Sequence, residues 1–382
     1  MKNAAPLLGL LLSLPLGAWA QEGPAPVERT HLLVRQVDRA ELDGARYFAL
    51  RLQPKGAELL GEAGEIEGVE VNRYTYLTPA THAGGATWIS GEPVEDGGFQ
   101  LVLREVSGKR LASHFLGKVA PAALHALSGK VAVVGQGNKV CRVDFGASPP
   151  SYETVLERPK MRPGKAYDLF ARAGEWLIAV DDVVLPIYGD TFKVGRDLKL
   201  THEEALNLPG VINGSYALLS LVREGRRDGT LYAYAPYHIM SGRGHDLAAL
   251  RFAKGKGTWD PDAVLQNSER DPVVLEEHKG QRGNLIAGKT LTPWTGLTYV
   301  AERKQLLAAA GERGLLAIPA PFTAKTQATS LGHAPCLDVA ATEGRLWVLQ
   351  GGEKPALVEL DPKTCEERAR TPLPVACNQL LD

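Results

Sequence analysis

The chain has 382 residues, with 43 Lys and Arg against 44 Asp and Glu, and a formal net charge of −1. That balance lacks the dense basic block of a nucleic-acid binder; the small clusters around Arg226 and Lys254 read as solvated turn tips. Gly (41) and Pro (25) are abundant and Met (3) is scarce, the mix of a β-rich secreted domain.

The opening stretch, MKNAAPLLGLLLSLPLGAWAQ, sets Lys2 before an apolar run from Leu7 to Leu16 and ends in the small-x-small triplet Ala18-Trp19-Ala20. This is the layout of a secretory signal peptide over residues 1–20, too short to favour a permanent span, with cleavage before Gln21. No cysteine stands at that junction, so a lipid anchor is not expected, and no later run is long and apolar enough to cross a bilayer. A soluble mature protein in the periplasm or outside the cell is the expectation. Four cysteines, Cys141, Cys336, Cys365 and Cys377, then predict one or two disulfides, with three connectivities open. They include no CxxC pair, which argues against a thiolate metal site.

Residues 21–30 form a Pro-rich leader. From His31 to about Ala120 the sequence is strand-rich: HLLVRQV and ARYFALRLQP around an Asp43-Gly44 turn, then VEVNRYTYLTP, ATWIS and FQLVLREVS. This part reads either as blades of the same body as the rest or as a small β-sandwich beside it. Residues 121–382 repeat one unit: a glycine, a nearly continuous apolar run, a tight turn and a further strand. SGKVAVVGQGNKVCRVDF, GEWLIAV, GSYALLSLV and GLTYV follow this order, with turn glycines Gly129, Gly174 and Gly214 about 40–45 residues apart. Only APAALHAL and KQLLAAAGE hold a helical period, and both are short.

The unit is clearest between Cys336 and Cys377, as LDVAA, RLWVLQ, ALVELD and EERARTPL separated by Gly344, Gly351-Gly352 and Asp361-Pro362. The pattern Leu337-Asp338-Val339, four residues, then Gly344-Arg345-Leu346-Trp347-Val348, followed by LDPKT, resembles a blade of the broad β-propeller class of periplasmic and secreted proteins. The resemblance implies an all-β, propeller-like array of six or seven four-stranded antiparallel blades around a channel, with binding loops on one face. A β-sandwich joined to a smaller propeller is the alternative. The terminal CNQLLD is placed to pair with the N-terminal strands and close the ring.

No motif demands a reaction. His238, His245 and Asp246 gather around a Gly-rich loop in YHIMSGRGHDLAAL, a place for metal ligation or acid–base work, but their spacing matches no tight zinc motif. Asp181, Asp182, Asp190, Asp260 and Asp262 read as turn acids; they admit calcium, yet none follows the twelve-residue calcium loop. No Gly-x-Ser-x-Gly elbow is present, and GQGNKV reads as a hairpin turn, not a dinucleotide loop. Trp259 and Trp294, beside prolines, are candidates for a binding face, whereas Trp176 and Trp347 lie in apolar runs and belong to the core. No cofactor is expected, nor is a nucleic-acid partner. The expected function is a non-catalytic binding or scaffold module for a protein or envelope ligand. The alternative is an extracellular hydrolase or lyase using carboxylates and histidines at the channel mouth.

Overall fold

The computed structural model describes residues 29–381, apart from 38–43, 68, 73–74, 78, 159–166, 168, 181–187, 208–213, 217–219, 224–230, 240–243, 254–255, 266–295, 321–325, 327 and 343. Residues 1–28, on which the expected signal peptide and most of the expected leader fall, lie outside the described residues. Everything described is strand, turn or loop, and the strands form a β-propeller. Six sheets are four-stranded antiparallel blades. A further sheet, over residues 214–265, has five strands because Gly214–Tyr216 and Ser220–Arg223 lie end to end along one edge of Leu231–Ile239. Numbering the sheets one to seven around the ring, blade two is built from Ala80–His82, Thr87–Pro93, Phe99–Glu105 and Arg110–Gly117. Blade three is Ala123–Ala126, Val131–Gln136, Lys139–Asp144 and Ser151–Glu157. Blade four runs from Leu169–Ala173 to Leu200–Asn207, blade six from Gly296–Val300 to Thr329–Ser330, and blade seven from Cys336–Thr342 to Glu367–Pro372.

Blade one joins the two ends of the chain. Its inner strand is the C-terminal Gln379–Leu381, paired with His31–Val37, so that Leu33 faces Leu381 and Arg35 faces Gln379. The CNQLLD segment thus closes the ring as its sequence predicts. The strand-rich N-terminal part supplies blades one and two, not a separate sandwich.

The core lies between blades, which explains why the sequence shows apolar runs where a half-exposed strand would alternate. Within VAVV of blade three, Val131 and Val133 pack against Leu177, Ala179 and Phe192 of blade four, while Ala132 and Val134 pack against Ile89, Leu101 and Leu103 of blade two. In RLWVLQ of blade seven, Leu346 and Val348 turn to blade six, and Trp347 and Leu349 turn to Leu32, Phe48 and Leu50 of blade one. Each strand feeds two interfaces because successive side chains leave opposite faces of the sheet. The same two-sided burial converts the helix-like KQLLAAAGE into the strand Gln305–Ala309, with Leu306 to Ala309 all buried. APAALHAL becomes the inner strand Ala123–Ala126, of which Ala126 is buried and the first three residues are half-buried. Trp88 and Trp347 are core, each 1% exposed, and Trp176 is half-buried.

The expected disulfides are not there: Cys141, Cys336, Cys365 and Cys377 are four free, buried thiols. Cys141 belongs to the interface of blades two and three, and Cys377 to that of blades seven and one. Cys336 and Cys365 share a cluster, but the Cys336 thiol is directed to the carbonyl of Asp338, 3.8 Å away. Each cysteine fills apolar space on its own blade contact. Burial raises the pKa of Cys336 and Cys365 and pushes Cys377 up to about 12, so these three are held as neutral thiols.

Candidate functional site

The innermost strands of neighbouring blades touch and define the channel wall. All run in the same sense, so their last residues gather at one end, beside the turns to the second strands. Three adjacent blades place a basic side chain there: His82 is the last residue of Ala80–His82, His125 the third of Ala123–Ala126, and Arg172 the fourth of Leu169–Ala173. The Ala126 amide donates to Thr81 Oγ1 at 2.7 Å, locking the first two strands in register. Arg29 joins them from the start of the described chain. Thr30 and His31 both donate their amides to the carbonyl of Gly84, and the Arg29 side chain lies over Gly84, where a Cβ would stand 2.3 Å from its Cγ.

Among the described residues, the charged groups acting on the histidines of this mouth are Arg29, Arg51, Arg172 and, on His82, His31. Burial pushes the His82 pKa down to about 4, reinforced by Arg29 and His31. Burial pushes His125 down to about 3, reinforced by Arg172 and Arg29. His31 is lowered by burial and Arg51, and Arg172 by burial. Near neutral pH the positive charge is therefore carried by guanidiniums, and the imidazoles are neutral. His82 Nε2 donates to the carbonyl of Gly85 at 2.8 Å, and its Nδ1 is buried without a hydrogen-bond partner. Arg172 Nε donates to the carbonyl of Gly174 at 2.9 Å.

A second polar cluster clamps blade three to blade four. Asp190, fully buried, accepts from Arg158 Nε at 2.9 Å and Nη2 at 2.5 Å, from the Tyr167 hydroxyl at 2.5 Å, and from His202 Nε2 at 2.8 Å. Hydrogen bonding to the carboxylate raises the Arg158 pKa; burial, then the bond to Asp190, raises that of Tyr167. Four donors occupy this carboxylate, so Asp190 is not an available calcium ligand. A third cluster joins blade seven to blade one: Arg345 binds Glu359 through Nε (3.0 Å) and Nη2 (2.7 Å) and donates to the carbonyls of Gln53 and Gly56. The Gly56 amide returns a bond to Glu359 Oε2 at 2.5 Å, and the guanidinium lies 4.5 Å from the Trp347 ring centre. Both clusters are structural clamps.

Of the residues singled out from sequence, His238 stands opposite His245 and Tyr237 opposite Asp246 on neighbouring strands of blade five. That pairing brings the two histidine backbones together. It lies toward the turn between the second and third strands, the opposite end of the ring from His82, His125 and Arg172. Trp259 pairs with Leu250 beside a bulge in the same blade, remote in sequence from Trp294, which lies outside the described residues, as do Asp181 and Asp182. Among the described residues no group of three His, Cys, Asp or Glu is arranged to hold a metal ion. The channel-mouth residues escaped notice because each is a lone basic residue in its own segment. The available signal was positional: His82, His125 and Arg172 stand two to four residues before a turn glycine, Gly84, Gly129 or Gly174.

No protein-family model matches the chain, and no curated protein matches it in sequence. Solved structures do. The periplasmic gluconolactonase PpgL of Pseudomonas aeruginosa is 12% identical with a TM-score of 0.51, over 92% of this chain and 98% of that one. The β-propeller domain of Cps50 (Swd1) from Myceliophteria thermophila is 12% identical over 85% and 94% of the chains with a TM-score of 0.45. BamB from Moraxella catarrhalis is 11% identical over 81% and 77% with a TM-score of 0.42. At such identities the similarity to PpgL establishes one thing, a shared propeller fold along nearly the whole of both chains.

Proposed function

We propose that the mature chain is a secreted or periplasmic, non-catalytic binding propeller that seats an envelope ligand at the mouth of its inner-strand ring. The observation that carries this reading is the convergence of Arg29, His82, His125 and Arg172 from four consecutive parts of the chain onto one end of the channel. Among the described residues the buried acids are Asp190, Glu359 and Asp338: the first two are committed to clamps between blades, and Asp338 accepts the backbone amides of Val339 and Leu380. Concave sites with a few converging polar groups are where small ligands bind. The signal-peptide layout supports delivery across the inner membrane, and the described residues contain no helix able to span one. Periplasmic residence of PpgL is compatible with this.

The test is a thermal-shift screen of the mature protein, from Gln21, against sugars, amino acids, nucleotides, organic acids and lactones, with each hit re-examined by NMR for turnover. One ligand class is expected to raise Tm and to be recovered unchanged. Recovery of product would replace the binding reading with the hydrolase reading, for which the pairing of His238 with His245 is the supporting observation. In that case, loss of turnover in His245→Ala would assign the site to blade five. No stabilising ligand in any class would overturn the binding reading.

A further inference from the structure

We infer that the outer strand of blade two, Arg110–Gly117, is an edge at which a second copy of this chain pairs antiparallel, joining two blades into one eight-stranded sheet. The inference is independent of the channel mouth. The strand pairs with Phe99–Glu105 and with no other described strand, so its outward amides and carbonyls are open to a partner. Its side chains divide by face. Ala112 and Leu116 pack toward blade three, and His114 stacks on Tyr152 of that blade with ring centres 5.0 Å apart. Leu111, Ser113 and Phe115 alternate with these and are exposed, Leu111 at 42% and Phe115 at 61%. Sheets avoid edge-to-edge pairing with charged or very short outer strands. Blade three follows that rule with Glu153 and Glu157, blade seven with Glu367, Arg368 and Arg370, and blade six with an outer strand of two residues. On blade one the exposed Leu60 stands between Glu58 and Glu62. Between Leu111 and Phe115 blade two has no such guard.

The edge is complementary to itself. Antiparallel pairing centred on Ser113 sets that residue against its own copy and Leu111 against the second copy's Phe115, apolar on apolar. The charges suit the same arrangement. Among the described residues, Lys109 and Arg110 stand at the first end of the strand with Glu105, whose carboxylate accepts the Ser107 hydroxyl at 3.1 Å. At the last end Lys118 stands beside the turn that carries Glu95 and Asp96, where a Cβ on Gly98 would lie 3.1 Å from the Phe115 ring. Cations outnumber acids at the first end and acids outnumber cations at the last. Antiparallel pairing brings these unlike ends together, whereas parallel pairing would oppose like ends. One strand-to-strand seam is a small interface, so the dimer forms as a concentration-dependent equilibrium.

The experiment is sedimentation velocity of the chain from Gln21 onward, from about 1 μM to about 1 mM, the range in which a weak interface associates. A monomer–dimer equilibrium is expected. Phe115→Asp is expected to weaken it roughly tenfold or more, because it removes the apolar pair with Leu111 and buries an unpaired charge. Leu60→Asp, at the exposed leucine of blade one, is expected to leave it unchanged. Ser113→Cys is expected to give a covalent dimer with oxidised glutathione, since the native thiols are buried and the new one meets its own copy. This second readout does not depend on the folding of Phe115→Asp. A monomer at every concentration overturns the inference, as does an equal loss in Leu60→Asp. A dimer that Ser113→Cys does not cross-link uses another register or surface and overturns it too.

Discussion

Replacing Asp190 with alanine is the sharpest probe of what holds blades three and four together. The carboxylate is fully buried and accepts four hydrogen bonds, so its loss strands three side chains at once. Tyr167, 0% exposed, keeps a hydroxyl with no acceptor, at a cost of about 1–3 kcal/mol. Arg158 keeps a positive charge in a site where its side chain is 24% exposed; breaking such a pair costs about 3–5 kcal/mol when fully buried, less where the survivor can turn to water. The two costs share one acceptor and do not simply add, so we expect a total of about 3–5 kcal/mol. Tyr167→Phe removes one donor and leaves the ion pair intact, so its expected cost is only about 1–2 kcal/mol. Urea unfolding of the chain from Gln21 onward, followed by tryptophan fluorescence, measures both. A loss below about 1 kcal/mol for Asp190→Ala, or equal losses for the two variants, would show that the clamp is not the source of stability at this junction.

Three further outcomes are expected. Thiol titration without reductant should find no rapidly reacting cysteine in the native protein and four in denaturant; fewer than four would mean that a disulfide forms after all. Deleting residues 379–382 removes the closing strand, with Leu380 and Leu381 at 8% and 5% exposure and the bond from the Leu380 amide to Asp338 Oδ2 at 2.6 Å. Burial of two leucines alone is worth about 3–6 kcal/mol, so the truncated chain should unfold at much lower urea, and an unchanged midpoint would refute ring closure by this strand. For Glu359, burial by itself raises the pKa, but Arg345 and the Gly56 amide outweigh it and the net shift is downward. Its contribution is thus present above the ordinary carboxylate range and is lost as pH falls through the depressed folded value. Glu359→Gln should flatten the acid limb of the stability–pH curve, and an unaltered limb would count against this assignment.

Much of the fold is written locally. Gly-led apolar runs and turn pairs such as Asp361-Pro362 are properties of neighbouring residues, and they mark the strands of blades three, four and seven directly. Even ring closure is legible, because an apolar terminal segment after a complete blade has one obvious edge to join. The cysteines show the limit of that reasoning. An even count predicts pairing, yet which apolar gap each sulfur fills depends on blade contacts between residues far apart in sequence.

The same limit governs the site. The amino-acid sequence by itself determined an all-β repeat body and the pairing of the two ends of the chain. It pointed toward His238, His245 and Asp246 because those residues are neighbours along the chain. Only the tertiary structure decided that Arg29, His82, His125 and Arg172, spread over more than a hundred residues, meet at one end of the ring. It also decided that Asp190, which reads as a turn acid, is the saturated centre of a clamp. The physical reason is that a propeller encodes its strands within each blade, whereas its channel is made of one short strand from every blade. Proximity there is set by rotation about the axis, which no local pattern records.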